Sequence, residues 1–377
     1  FYSDLGTPLI IGPVFRPLFE KLRVSREKLA FIIDSTASPV AILVPFIGWG
    51  IYIMGLLQKE FDQAGKSLDS WQVFIGVIPY QFYALLAIAV IPVVVLLKAD
   101  IGPMAQTEIK ATQSNTSVNA DVVQNKDFEA FTHKNARARF VFLPLLVMAA
   151  VLLFMLVPLG FPFSSVPGSV FRAALASAYF LAACTLIGLM AWHKVRSGLE
   201  GVTLYLQGMS GMMQVIIVLV LAWTLSSLGN ELGTAAYIAE QAQRGFPAWL
   251  LPLVAFLLSA VISFATGSSW GTFAIMLPLV IPTAFAIEAP LLVSIGAVLS
   301  GGLFGDHCSP ISDTTILSAT GAGCSQIDHV KTQIPYAIFN GTCSLIAYVV
   351  AGITANVWAL AVGVGLMLAG LLVMKKY

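Results

Sequence analysis

The sequence is poor in charge. Asp, Glu, Lys and Arg make up 10% of its 377 residues, against roughly 25% in a soluble domain. A water-facing globule is thereby disfavoured, because 58% of the residues are hydrophobic. Runs such as 71–97 and 140–158 are each long enough to cross a ~30 Å hydrocarbon layer as a helix. The net charge of +1 comes with no basic stripe, so nucleic acid is not an expected partner. Cysteine is scarce too: Cys184, Cys308, Cys324 and Cys343 lie in or beside apolar segments. Their spacing fits neither a zinc site nor a CxxC redox motif, and they read as small packing residues. No HExxH or GxSxG constellation supports an enzyme, and no cofactor is expected. The chain opens at Phe1 without an initiator Met, a basic n-region or a cleavage site. No signal peptide is expected. The opening reads as the middle of a structural element, with further N-terminal helices expected ahead of it.

What is present is a series of apolar segments, roughly 5–19, 29–57, 71–97, 140–158, 169–191, 208–228, 247–287, 289–323, 336–353 and 355–373. The expected fold is an all-α polytopic membrane protein. Several segments are the wrong length for one simple crossing. The first is short and holds Pro8, Pro13 and Pro17, and two exceed thirty residues with Gly, Ser, Pro or Asp interruptions. Such interruptions predict re-entrant hairpins and discontinuous helices, which membranes tolerate only inside protein or around a cavity. Loops 20–28, 98–139, 192–200 and 324–335 carry most of the Lys and Arg, which places them in the cytoplasm. That assignment requires 247–287 to enter and leave on the outer side. Segment 98–139 reads as a flexible cytoplasmic linker between two halves, and 192–207 as an interfacial segment.

An internal repeat supports this organisation. Ser3–Pro17 aligns without a gap on Ser268–Pro282, pairing Gly6-Thr7 with Gly271-Thr272 and Pro13 and Pro17 with Pro278 and Pro282. Asp34–Gly50 aligns on Asp306–Gly321, pairing Ser38-Pro39 with Ser309-Pro310 and Gly50 with Gly321, with Asp34 offset from Asp306 by one residue. Chance is the alternative, since Gly, Ser and Pro are common in membrane helices. The repeated order, with opposite expected orientation, predicts inverted repeats whose site lies where they meet. The transport unit is then 1–57 with 247–323. Helix 71–97, segments 140–228 and the C-terminal helices 336–377 form a scaffold.

A carboxylate inside a membrane costs roughly 2.5–3.5 kcal/mol at a helix centre on insertion scales, so it needs a partner or a role. The candidates are Asp4, Asp34, Asp306, Asp313 and Glu231. Asp306 and Asp313 flank Pro310 in GDHCSPISDTT, with no Lys or Arg in the segment. Helix capping accounts for one acid at a break but not for two acids with three hydroxyls. Sodium is a hard cation that takes oxygen ligands. Asp306, Asp313 and Ser309 are its expected ligands, with Asp34, Thr36, Ser38, Ser312, Thr314 and Thr315 as further donors. A proton competing with sodium for one carboxylate is the simplest basis for antiport. The turn 266–272 adds Thr266, Ser268, Ser269 and Thr272, and the first repeat adds Thr7. An ordinary tight turn is the alternative there. Asn230-Glu231 is a candidate or a solvated helix end. His307 is a proton shuttle or a packed histidine, whereas His133, His193 and His329 fall in loops and read as solvated.

These residues resemble the NhaC family of sodium/proton antiporters. The carrying stretches are Phe1–Asp4, Ser25–Ala30, Asp34–Val40, Ala265–Thr272 and, most distinctive, Gly305–Thr315. The resemblance implies a prokaryotic cytoplasmic-membrane carrier that moves hairpins and broken helices against a scaffold. Its expected partners are lipid, sodium and protons, with a homodimer as the expected assembly. The family's start resembles FFDDY, and Ser3 stands here where it has an acid. The departure bears on stoichiometry and substrate, and some members look like carriers of small organic acids. The lead expectation is sodium/proton antiport by elevator-like alternating access. The second is a sodium- or proton-coupled carrier of a small organic acid or amino acid. A passive channel fits less well, because the paired motifs lie within one chain.

Overall fold

The computed structural model describes residues 4–113, 137–161, 166, 168–211, 213–233, 237, 240 and 245–374. The described residues are all-helical. Six helices are long and apolar enough to cross a membrane, or seven if the bent pair Ser70–Tyr80 and Phe82–Leu97 counts as one span. The chain divides into two compact units, 1–67 with 73–125 and 221–377, and 68–72 with 126–220.

The first unit opens with α1 (Gly6–Lys21), α2 (Arg26–Ala41) and α3 (Gly48–Gln63). Segment 5–19, expected to be short and broken, is one helix through Pro13 and Pro17. Helix α2 starts where Ser25 accepts a hydrogen bond from the Lys28 amide and Glu27 lies in the first turn, both favourable at a positive helix end. The expected break at Ser38-Pro39 is displaced. Helix α2 runs through Pro39 to Ala41, and the chain breaks over 42–47. Proline removes only the amide that would bond the Ser35 carbonyl, and its ring tolerates the helical φ.

Helices α4 (Ser70–Val77) and α5 (Phe82–Leu97) meet at a 46° bend, with a 3-10 turn at Ile78–Tyr80. Segment 71–97 is therefore bent, not one straight helix. Tyr348 covers the bend: its hydroxyl donates to the Tyr80 carbonyl at 2.6 Å and meets Ser300 Oγ at 2.7 Å. The expected flexible linker begins as a helix, α6 (Pro103–Gln113). Met104 anchors it in a core with Phe31, Leu86, Val90 and Tyr336. Residues 114–136 of that linker, with His133, lie outside the described residues.

The second unit holds α7 (Arg139–Leu156), α8 (Gly168–Trp192) and α9 (Gly198–Gly211). Helix α7 packs along α8, and Trp71 sits against Phe171, with centroids 4.3 Å apart. Helix α10 (Met213–Glu231) joins the units along the chain.

The first unit resumes with α11 (Leu251–Thr266) and α12 (Ser269–Ala286). They turn back at Gly267, where φ is +64°, a conformation glycine adopts without penalty. Each arm, with its flanking turn, is long enough to count as a span, longer than a short re-entrant loop. Helix α13 (Leu291–Cys308) and α14 (Asp313–Ala322) follow, broken at Ser309–Ser312 around Pro310. Helix α15 (Gln326–Thr354) and α16 (Ala359–Met374) close the chain. Helix α15 begins ten residues before the expected segment at 336, so loop 324–335 is mostly helix.

Glycine sets the crossings. A Cβ on Gly12 of α1 would lie 2.2 Å from the Gly321 carbonyl carbon of α14. One on Gly305 of α13 would lie 2.3 Å from the Ala260 carbonyl oxygen of α11. Small residues let membrane helices approach this closely. Helix α2 is consequently enclosed by α1, α5, α14 and α15, and that enclosure buries its centre.

Candidate functional site

Asp34 sits at the middle of α2 with 0% exposure. Its carboxylate collects donors from two other helices. Gln333 Nε2 of α15 donates to Oδ2 at 2.5 Å. Thr315 Oγ1 of α14 reaches Oδ2 at 3.4 Å, and Ser318 Oγ reaches Oδ1 at 3.3 Å. His329 Nε2 of α15 stands 3.6 Å from Oδ2. Gln333 Nε2 also donates to the His307 carbonyl at 2.9 Å. The His307 ring bridges the Asp34 carbonyl, 3.1 Å from Nε2, and the Tyr83 hydroxyl, 3.2 Å from Nδ1. An acid from the first half of the chain is thus held by groups from the second.

Asp306 forms a second centre near the end of α13, also buried. Ser269 Oγ donates to its Oδ2 at 3.3 Å, and the Ser312 hydroxyl faces the same carboxylate. Asp34 and the buried Asp4 are near enough to act on Asp306 electrostatically. The hairpin and the break lock together here. Ser309 Oγ donates to the Phe264 carbonyl at 2.9 Å, and a Cβ on Gly267 would meet Ile311 O at 2.8 Å. Among the described residues no Lys or Arg pairs with Asp34 or Asp306.

A sequence profile described as the Na+/H+ antiporter family matches residues 40–353. The chain belongs to the Na+/H+ antiporter family. It is a secondary transporter, not an enzyme. An uncharacterized protein of Haemophilus influenzae is 34% identical over 370 residues, 94% of this chain and 69% of that protein. The arginine/ornithine antiporter of Halobacterium salinarum is 31% identical over 166 residues, 44% of this chain and 33% of its own length. The malate-2H(+)/Na(+)-lactate antiporter of Bacillus subtilis is 32% identical over 100 residues, 26% of this chain and 21% of its own. No solved structure matches this chain.

Other expected site residues of this antiporter-family chain fall in three groups. Asp313 is exposed in the first turn of α14 rather than buried beside Asp306. It follows the N-cap Ser312, where an acid faces the positive helix end and water. Several hydroxyls are spent locally. Thr36 bonds the Ile32 carbonyl, Thr266 that of Ile262 and Thr272 that of Ser268. Ser268 caps α12 at the Gly271 amide, and Ser312 and Thr314 lie 3.0 Å apart. The rest are peripheral or undescribed. Thr7 lies in the first turn of α1, Glu231 is exposed at the end of α10, and the Asn230 side chain lies outside the described residues.

Sequence reasoning missed Gln333, Tyr83 and Ser318, and it placed His329 in solvent. His329 is 0% exposed. The signal was a polar file at helical spacing, His329, Gln333, Asn340 and Ser344, all buried on α15. Starting that helix at 336 hid the first two.

Proposed function

We propose that this chain exchanges sodium for protons across a prokaryotic cytoplasmic membrane by alternating access. The observation that carries the reading is Asp34. It is a fully buried carboxylate with hydroxyl, amide and imidazole neighbours but no Lys or Arg counter-charge among the described residues. Such a carboxylate needs a cation or a proton in the low-dielectric interior. Asp306, with Ser269 and Ser312, is the second ion- or proton-handling group. Binding one or the other, never both, links two opposed fluxes.

Inverted repeats fit this reading. Helix α1 packs on α14, and α12 packs on α3, so each repeat's leading helix meets the later half of the other's broken element. The moving part is 1–57 with 247–323, working against the remaining helices, and a homodimer would hold the latter still. In proteoliposomes a sodium gradient should drive proton movement through the purified chain. Absence of sodium- or lithium-dependent proton flux from mildly acidic to alkaline pH rules the reading out.

A second reading is coupled exchange of a small organic acid or amino acid. It is favoured by the likeness to an arginine/ornithine antiporter and a malate–lactate antiporter. Helix N-termini at the breaks offer amides to a carboxylate group without an arginine. Solute-dependent thermal stabilisation that requires sodium would select it.

A further inference from the structure

We infer that Gln333 and Ser38 complete a cation site at Asp34, and that the α15 amide helps set which cation is taken. The inference rests on the exchange reading above and deepens it. Gln333 is 1% exposed. Its Nε2 donates both to Asp34 Oδ2 and to the His307 carbonyl, so both amide hydrogens are committed and the amide cannot flip without losing both bonds. That orientation leaves Gln333 Oε1 buried with no hydrogen-bond partner among the described residues. Ser38 lies one turn beyond Asp34 on the same face of α2. It is 0% exposed, and its Oγ likewise has no partner.

A buried polar atom left unsatisfied costs about 1–3 kcal/mol. One such atom belongs to the side chain that bonds Asp34, and the other lies one helical turn along α2 from it. Both are oxygens with free lone pairs, which suits a hard cation. The carboxylate has room for it. A carboxylate offers about four lone-pair sites, and among the described residues Asp34 Oδ1 accepts only from Ser318. Asp306 differs, because the hydroxyls that face it come from Ser269 and Ser312 and neither is left unpartnered. Of these two buried carboxylates, Asp34 is the one whose hydrogen-bond partner Gln333 and helix neighbour Ser38 keep an unspent oxygen. Sodium there would take one carboxylate oxygen, one amide oxygen and one hydroxyl, and the ligands would come from α2 and α15. Sodium release then frees α15 from part of its hold on α2.

The test uses the full chain, purified in detergent, with radioactive sodium binding and sodium-driven proton flux as readouts. Ser38→Ala is the cleanest variant, because its hydroxyl bonds nothing among the described residues and its loss should not weaken the fold. Gln333→Met keeps the length and removes the amide. Both should raise the sodium concentration for half-saturation about tenfold, the scale of one lost ligand. The preference for sodium over lithium and potassium should shift with Gln333→Met. Wild-type sodium affinity in Ser38→Ala and Gln333→Met, alongside loss of binding in Asp34→Asn, would overturn this site and leave the exchange reading standing. If Gln333→Met does not fold, Ser38→Ala decides alone. If the wild-type chain binds no sodium, both the site and the exchange reading fall.

Discussion

His329 Nε2 stands 3.6 Å from Asp34 Oδ2, and neither residue has any exposed surface. One comes from α15 and the other from α2, so the contact ties the last long helix of the chain to an early one. On the proposed reading, a cation at Asp34 would sit beside that imidazole, and its binding would be coupled to the packing of α2 on α15.

Asp34→Asn should abolish coupled exchange, with flux at the level of empty liposomes, while the protein remains folded. The substitution keeps the shape and removes the charge, so an unpaired buried anion is no longer present. Size-exclusion profiles and melting temperature in detergent should match or exceed those of the wild type.

Ser269→Ala should lower sodium-driven flux without loss of fold. Ser269 is the hydroxyl that reaches Asp306 from the start of α12. Losing one such hydrogen bond to a charged group is worth about 1.5–3 kcal/mol, or roughly ten- to hundredfold in the half-saturating sodium concentration. A titration of flux against sodium measures it.

Gly12→Val should destabilise the protein, because its Cβ would overlap the Gly321 carbonyl carbon at 2.2 Å. Overpacking of this kind costs about 1–3 kcal/mol or more. Gly55→Ala is the control: a Cβ there meets nothing within 4 Å, and alanine gains about 0.5–1 kcal/mol in a helix. Thermal unfolding in detergent should order the three proteins Gly55→Ala, wild type, Gly12→Val.

Lys28→Met should loosen α6. Lys28 Nζ lies 2.9 Å from Asp100 Oδ1 and 3.5 Å from Glu108 Oε2, and Glu108 also accepts from the Ser25 amide at 2.8 Å. These groups are mostly buried, so removing the cation leaves two carboxylates poorly compensated. Proteolysis or hydrogen exchange at 98–113 should accelerate several-fold, with little change in α11 and α12.

The elements legible in the sequence were those marked by composition. The length and apolarity of 140–158 and 169–191 sufficed for spans, and the Gly267 turn and the Pro310 break carried their own chemistry. What misled was local emphasis. Ser38-Pro39 resembles Ser309-Pro310, yet α2 passes through its proline while α13 stops before its own. Both helices are packed on several sides by others, so enclosure does not separate them; what differs is that Ser309 turns to bond the Phe264 carbonyl of the hairpin, whereas the helix at Ser38 continues to Ala41. Asp313 looked like a partner of Asp306 by spacing, but the helix start at Asp313 sends it to solvent. His329 and Gln333 were obscured because charges at Asp328 and Lys331 made 324–335 look like a loop. Only tertiary packing brings the buried face of the first turns of α15 to Asp34.

The most direct test of the account is sodium-driven proton flux in proteoliposomes, measured side by side for the wild-type chain and Asp34→Asn. Robust, saturable exchange is expected in the first and none in the second, with both proteins equally folded. Normal exchange by Asp34→Asn would contradict it.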